Sequence, residues 1–160
     1  MKSSKDLTTA VILAGGKGRR MGGKDKGLVH FSGRRLIDYT IDAIKPQVNS
    51  LIINANRNLS EYQLYGYPVV CDNFPNFAGP LAGIEAALSI CQTPYLVTVP
   101  CDTPKLPSGL VAKLAVAMVS NDNDLAVADD GQRMQPVFCL MKIALLQSLR
   151  EQLKLSLIHI

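Results

Sequence analysis

The sequence predicts an α/β fold of three layers, a mostly parallel sheet with helices on both faces. Three observations predict it. Short apolar runs of β type alternate with helical patterns along the chain. The runs lack polar alternation, as expected of parallel strands buried on both faces. The first four runs each lead into a polar or glycine-rich segment, the arrangement in which ligands bind beyond the carboxyl ends of strands. With 160 residues, of which 48% are hydrophobic, the chain suits a single domain with a substantial core.

The elements follow in order. Ala10–Leu13 is the first strand and Leu36–Lys45 the first helix. Leu51–Asn54, helix Ser60–Tyr65 and strand Pro68–Cys71 come next. Helix Leu81–Cys91 has Pro80 at its start, where proline is tolerated. Strand Tyr95–Val99, helix Ser108–Val119, strands Leu125–Ala128 and Gln135–Leu140, and helix Lys142–Leu153 complete the set. The Pro/Gly clusters Phe74–Gly83 and Pro100–Pro107 read as loops around a site. Beyond the four strand ends lie the glycine-cation loop, Asn54-Ala55-Asn56-Arg57, Asp72-Asn73, and Pro100-Cys101-Asp102-Thr103-Pro104. One chemical edge therefore collects the polar groups.

The loop after the first strand is the most informative segment. It carries glycines at 15, 16, 18, 22, 23 and 27, and the cations Lys17, Arg19, Arg20, Lys24 and Lys26. Glycine permits close backbone approach, so amide N–H groups can face phosphate oxygens while the cations supply charge. This predicts a polyphosphate grip. Neither common phosphate fingerprint is complete. Gly16-x-Gly18-x-x-Met21 lacks the third glycine of a dinucleotide site, and Gly18-x-x-x-x-Gly23-Lys24 is followed by Asp25 rather than Ser or Thr.

Composition narrows the function. Net charge is +4, and five of the 17 Lys and Arg residues lie in this one loop. Such local charge suits a small anionic ligand rather than a nucleic-acid track. There is no Trp, and the five Tyr are not interleaved with the cations, which argues against a base-stacking surface. The four cysteines form no C-x-x-C pair, which argues against zinc. Cys71, Cys91 and Cys139 read as small buried hydrophobes, and reduced thiols imply a cytoplasmic location. Met1–Thr9 has no apolar signal-peptide core, and no apolar run reaches the roughly 18 residues of a membrane span.

Leu13-Ala14-Gly15-Gly16-Lys17-Gly18-Arg19-Arg20-Met21-Gly22 followed by Asp25-Lys26 resembles a nucleotidyltransferase signature. Ile53-Asn54-Ala55-Asn56-Arg57, Gly79-Pro80-Leu81-Ala82-Gly83 and Pro100-Cys101-Asp102-Thr103-Pro104 narrow the resemblance to the molybdenum cofactor guanylyltransferases. It extends from about residue 8 to about residue 150. It implies a Rossmann-like sheet of the nucleotide-diphospho-sugar transferase type. It also implies transfer of GMP from GTP to the phosphate of molybdopterin (Mo-molybdopterin), with release of pyrophosphate. Leu13, Ala14, Gly15, Gly16, Gly18, Lys26, Asn54, Asp72, Gly79 and Asp102 match nucleotide-binding positions. Arg20, Lys26 and Asp102 are the expected catalytic set, and Asp102 the expected Mg²⁺ ligand. An ionised acceptor phosphate needs no general base, so charge neutralisation and positioning carry the catalysis.

Alternatives stay open for several positions. Asn54 and Asp72 also suit turn or cap roles, and Asp102 suits a helix cap. Asp122, Asp124, Asp129 and Asp130 read as a solvated cluster, while Arg133 is a candidate for the acceptor phosphate. Residues 1–154 are expected to form one nucleotidyltransferase domain, incomplete at its C-terminus. The segment 155–160, Leu-Ser-Leu-Ile-His-Ile, is expected to be a non-native tail. A related CTP or sugar-phosphate transferase is one competing reading. A non-catalytic nucleotide-binding carrier that partners molybdenum cofactor insertion proteins is the other.

Overall fold

The computed structural model describes residues 1–74 and 79–158. In chain order the elements are β1 (Thr8–Leu13), β2 (His30–Phe31), β3 (Arg34–Arg35), α1 (Leu36–Ile44), β4 (Ser50–Asn54), α2 (Leu59–Gln63) and β5 (Val69–Val70). Then follow α3 (Pro80–Ile90), β6 (Tyr95–Pro100), α4 (Leu110–Ser120), β7 (Leu125–Asp129), β8 (Met134–Lys142) and α5 (Leu146–Ile158). Six strands form one sheet in the order β5-β4-β1-β6-β8-β7. The β1–β4, β1–β6 and β4–β5 pairs are parallel, and β8 runs antiparallel to both β6 and β7. The expected α/β architecture is present.

Period-two alternation divides each central strand between two cores. Ala10, Ile12, Leu51, Ile53, Val97 and Val99 pack on one face, under α1 and α4. Val11, Ile52, Leu96, Cys139 and Met141 pack on the other, with Ile84, Ala87 and Leu88 of α3 and with Leu146 and Leu149 of α5. Because both faces are covered, the strands show no polar alternation in sequence.

The topology places the functional edge. From β1 the chain moves outward to β4 and β5, then returns across β1 to β6. The strand order therefore reverses between β1 and β6, which makes a crevice at their carboxyl ends. Register makes that edge level. Leu13 stands opposite Asn54 on one side and Pro100 on the other, and Asn54 stands opposite Val70. The residues just past this row are the ones singled out in the sequence.

Three features differ from expectation. The β2–β3 hairpin has no counterpart among the expected elements, since two-residue strands carry no usable periodicity. Strand β8 extends to Lys142, so α5 begins at Leu146 rather than Lys142. Cys71 is exposed and Cys91 only partly covered, whereas Cys101 and Cys139 are buried. The cause for Cys71 is that β5 is only two residues long and sits at the sheet edge. Of the expected Phe74–Gly83 loop, 75–78 lie outside the described residues. Helix α5 continues across 155–158, which suits either origin of those residues.

A buried ion pair joins α3 to α5. Glu85 is 1% exposed and accepts from Arg150 Nε at 2.7 Å and from Asn73 Nδ2 at 2.9 Å. Replacing Arg150 by Met leaves that carboxylate without its cation. Full removal of a buried partner costs about 3–5 kcal/mol; partial exposure of Arg150 reduces this to about 2 kcal/mol. Urea unfolding of Arg150→Met should show that loss, and an unchanged midpoint would show that the pair contributes nothing.

Candidate active site

The glycine loop leaves β1 as a compact turn. Gly18 adopts left-handed backbone, φ +61°, and a Cβ there would stand 2.0 Å from the Lys24 carbonyl oxygen. Only glycine fits such a position. The Gly18 carbonyl accepts from the amides of Met21 and Gly23, both at 2.9 Å, and Arg19–Met21 form a short 3-10 turn. Among the described residues, the amides of Gly15, Gly16, Lys17 and Gly18 donate no hydrogen bond. Nothing lies within 4 Å of a Cβ built on Gly16, so the fold itself does not require glycine there.

Lys26 begins a second 3-10 turn, Lys26–Leu28, and its Nζ lies 3.8 Å from Asp102 Oδ2. The side chains are 42% and 37% exposed. A pair this open contributes under about 1 kcal/mol, so both groups remain available to a charged ligand. Asp102 does not cap α4: that helix starts at Leu110 with Gly109 as its N-cap. Its neighbour Cys101 is buried, donates its amide to Leu13 O at 3.2 Å, and receives the Thr40 hydroxyl on its carbonyl at 3.2 Å. Burial, with Asp102 beside it, pushes the Cys101 thiol up to about 12. That thiol stays protonated and supplies no nucleophile near neutral pH.

Asn54, Asn56 and Asp72 form a connected amide–carboxylate group. Asn54 Nδ2 donates to Asp72 Oδ1 at 2.9 Å and to Val70 O at 3.2 Å. Asn56 Nδ2 donates to Asp72 Oδ2 at 3.0 Å and to Gly15 O at 3.2 Å, and its Oδ1 accepts from the Asp72 amide at 2.8 Å. These bonds use both amide hydrogens of Asn54 and turn its Oδ1 towards Gly15 and Gly83. A Cβ on Gly83 would lie 2.3 Å from Asn54 Oδ1, and one on Gly15 would lie 2.8 Å from it. Each Asp72 oxygen holds one donor and keeps a further acceptor site. Gly79 is extended and caps α3 with Pro80 behind it, and the start of this helix brings Gly83 against Asn54.

Leu13, Ala14, Gly15, Asn54, Asp72, Lys26 and Asp102 thus meet at one edge. Arg20 belongs to the same loop. It lies exposed on the Arg19–Met21 turn, and among the described residues it pairs with no carboxylate. The acidic cluster is structural. Lys142 reaches Asp124 at 2.8 Å and Asp122 at 3.8 Å, while Asp129 and Asp130 accept amides of their own turn. Among the described residues, no three His, Cys, Asp or Glu side chains gather as a metal cage.

Sequence reasoning missed the grip on the loop from below. Asp25 accepts from Asn58 Nδ2 at 3.0 Å and from the Tyr62 hydroxyl. Tyr62 is fully buried, and burial, with the Asp25 hydrogen bond, raises its hydroxyl pKa strongly. Arg57 reaches the Gly23 carbonyl. The Asn-Ala-Asn-Arg run held the signal for Asn56 and Arg57; nothing in the sequence marked Tyr62.

The "MobA-like NTP transferase domain" description matches residues 10–156. A molybdenum cofactor guanylyltransferase of Shewanella sp. (strain MR-4) is 53% identical over 140 residues, covering 88% of this chain and 71% of its own. Two solved structures share the fold. Molybdopterin-guanine dinucleotide biosynthesis protein A from Archaeoglobus fulgidus has a TM-score of 0.72 at 20% identity, covering 94% of this chain and 74% of its own. A Mycobacterium tuberculosis protein crystallised in complex with manganese has a TM-score of 0.67 at 17% identity, covering 96% and 83%. Among the described residues no helix is long and apolar enough to cross a membrane. The match along the chain and the loop-and-aspartate rim agree: this chain belongs to the MobA-like NTP transferase family, beside the molybdenum cofactor guanylyltransferases, and is a nucleotidyltransferase.

Proposed function

We propose that the chain transfers GMP from GTP to the terminal phosphate of molybdopterin. An acceptor oxygen bonds to the α-phosphorus, the bond to the β-phosphate bridging oxygen breaks, and pyrophosphate leaves. One observation carries this reading: the glycine loop, the open Lys26–Asp102 pair and the Asn54–Asp72 group share one level edge at the sheet's switch point.

The division of labour follows from chemistry. A phosphomonoester has its second pKa near 6, so the acceptor arrives ionised and needs no base. This agrees with the protonated Cys101 thiol beside the site. The barrier is the approach of an anion to a phosphorus ringed by negative oxygens. The amides of Gly15 to Gly18 hold the triphosphate, with Gly16 allowing its close approach. Lys26 neutralises charge as the acceptor closes. Asn54 Oδ1, fixed between Gly15 and Gly83, accepts from a base or ribose donor, and Asp72 offers its remaining acceptor sites beside it.

A divalent cation fits the donor set. Asp102 offers one hard, accessible carboxylate, and Mg²⁺ is commonly held by one or two carboxylates, waters and substrate phosphates. Once bound, Mg²⁺ would offset phosphate charge. Asp102 would hold it, and Lys26 would turn from Asp102 towards the nucleotide.

The deciding experiment measures pyrophosphate release from GTP or CTP with molybdopterin and Mg²⁺. Turnover with GTP is expected; tighter binding of CTP overturns the guanine assignment, and GTP binding without pyrophosphate release assigns a carrier instead. Lys26→Ala should lower kcat by about 30- to 1000-fold, or about 2–4 kcal/mol of transition-state stabilisation. Asp102→Ala should remove Mg²⁺-dependent turnover while weakening metal-free GTP binding less. Gly83→Ala should remain folded yet displace the Asn54 amide, weakening GTP binding about tenfold by calorimetry, or about 1.4 kcal/mol.

A further inference from the structure

Three consecutive side chains after β4 grip the glycine loop at three points. Asn56 Nδ2 donates to Gly15 O at 3.2 Å, Arg57 Nη1 to Gly23 O at 2.6 Å, and Asn58 Nδ2 to Asp25 Oδ2 at 3.0 Å. Asn58 accepts left-handed backbone, φ +51°, to do so. Arg57 is the centre of this clamp. Its Nη2 lies 3.0 Å from where a Cβ on Gly18 would stand. Gly18 and Gly23 also bond to each other. The guanidinium therefore lies beneath both ends of the turn that shapes the loop.

Its remaining donors are unusual. Nε and Nη2 are buried with no hydrogen-bond partner among the described residues. Among the described residues, no carboxylate forms an ion pair with Arg57. Arg57 as a whole is half-buried, so two of its nitrogens have lost water without gaining a partner, and a nearby anion would favour its charge. The polyanion expected above the loop is that anion. A planar fork of five donors suits the geometry, and a lysine ammonium does not reproduce it.

We propose that Arg57 is a positioning residue of the transferase. It braces the Gly18–Gly23 turn from below, which sets the direction of the Gly15 to Gly18 amides and the place of Lys26 opposite Asp102. Its charge adds to the potential that holds the triphosphate. This rests on the loop being the triphosphate grip.

Arg57→Ala and Arg57→Lys test it in the full chain, with thermal unfolding beside GTP steady-state kinetics. Arg57→Ala should lower kcat/KM for GTP by about thirtyfold or more, by analogy with loss of a preorganised donor. Millimolar guanidinium chloride should restore part of that loss, and equal sodium chloride should not. Arg57→Lys should stay impaired despite its charge. A folded Arg57→Ala that guanidinium does not rescue overturns the proposal. So does Arg57→Lys within twofold of the parent, which decides the matter if the alanine variant fails to fold. Gly16→Val separates the underlying reading. If it leaves GTP binding intact, the loop is not the grip and both ideas fall. If it abolishes binding while the Arg57 variants match the parent, the role of Arg57 alone falls.

Discussion

The site depends on the parallel register that β1 keeps with both of its neighbours. Leu13 is level with Asn54 and with Pro100, so three chain segments emerge side by side. Backbone hydrogen bonds carry that alignment one residue further on each flank: the Ala14 amide to Asn54 O at 2.8 Å, and the Cys101 amide to Leu13 O at 3.2 Å. A slip by one residue would turn each strand's inward set to the opposite face and uncover both cores. The cores thus hold the rim in place. Distances such as that between Lys26 and Asp102 are set by burial of Ile12, Ile53 and Val99 below them.

The electrostatics of the rim are arranged for a guest rather than for the empty protein. The cations of the loop are mostly exposed, and the Lys26–Asp102 contact is long and wet. Closer pairs lie elsewhere, at Arg35–Glu61, Arg34–Asp42 and Arg150–Glu85, each at 2.7 Å. Structural charges are already matched, whereas charges at the rim are only loosely matched.

Much of the fold was legible because long apolar runs and their punctuation survive in sequence. The five longer strands and all five helices lie where alternation and turn residues placed them, within a few residues at the ends. The glycine loop and Asp102 were legible for the same reason: they follow strands directly. Other features leave no local pattern. The β2–β3 hairpin is too short for periodicity. The antiparallel direction of β8 is decided by pairing with β6 and β7. Cys71 has apolar neighbours in sequence but follows a two-residue edge strand. Tyr62 and Arg57 act through contacts more than thirty residues distant along the chain, 37 and 34 respectively.

The Arg150–Glu85–Asn73 chain has a wider consequence. Asn73 adjoins Asp72, and Arg150 sits on the last helix. A random mutagenesis screen for altered nucleotide preference should therefore return hits on α5, at positions that never meet the ligand. The last helix is thus two hydrogen bonds away from the residue that follows Asp72.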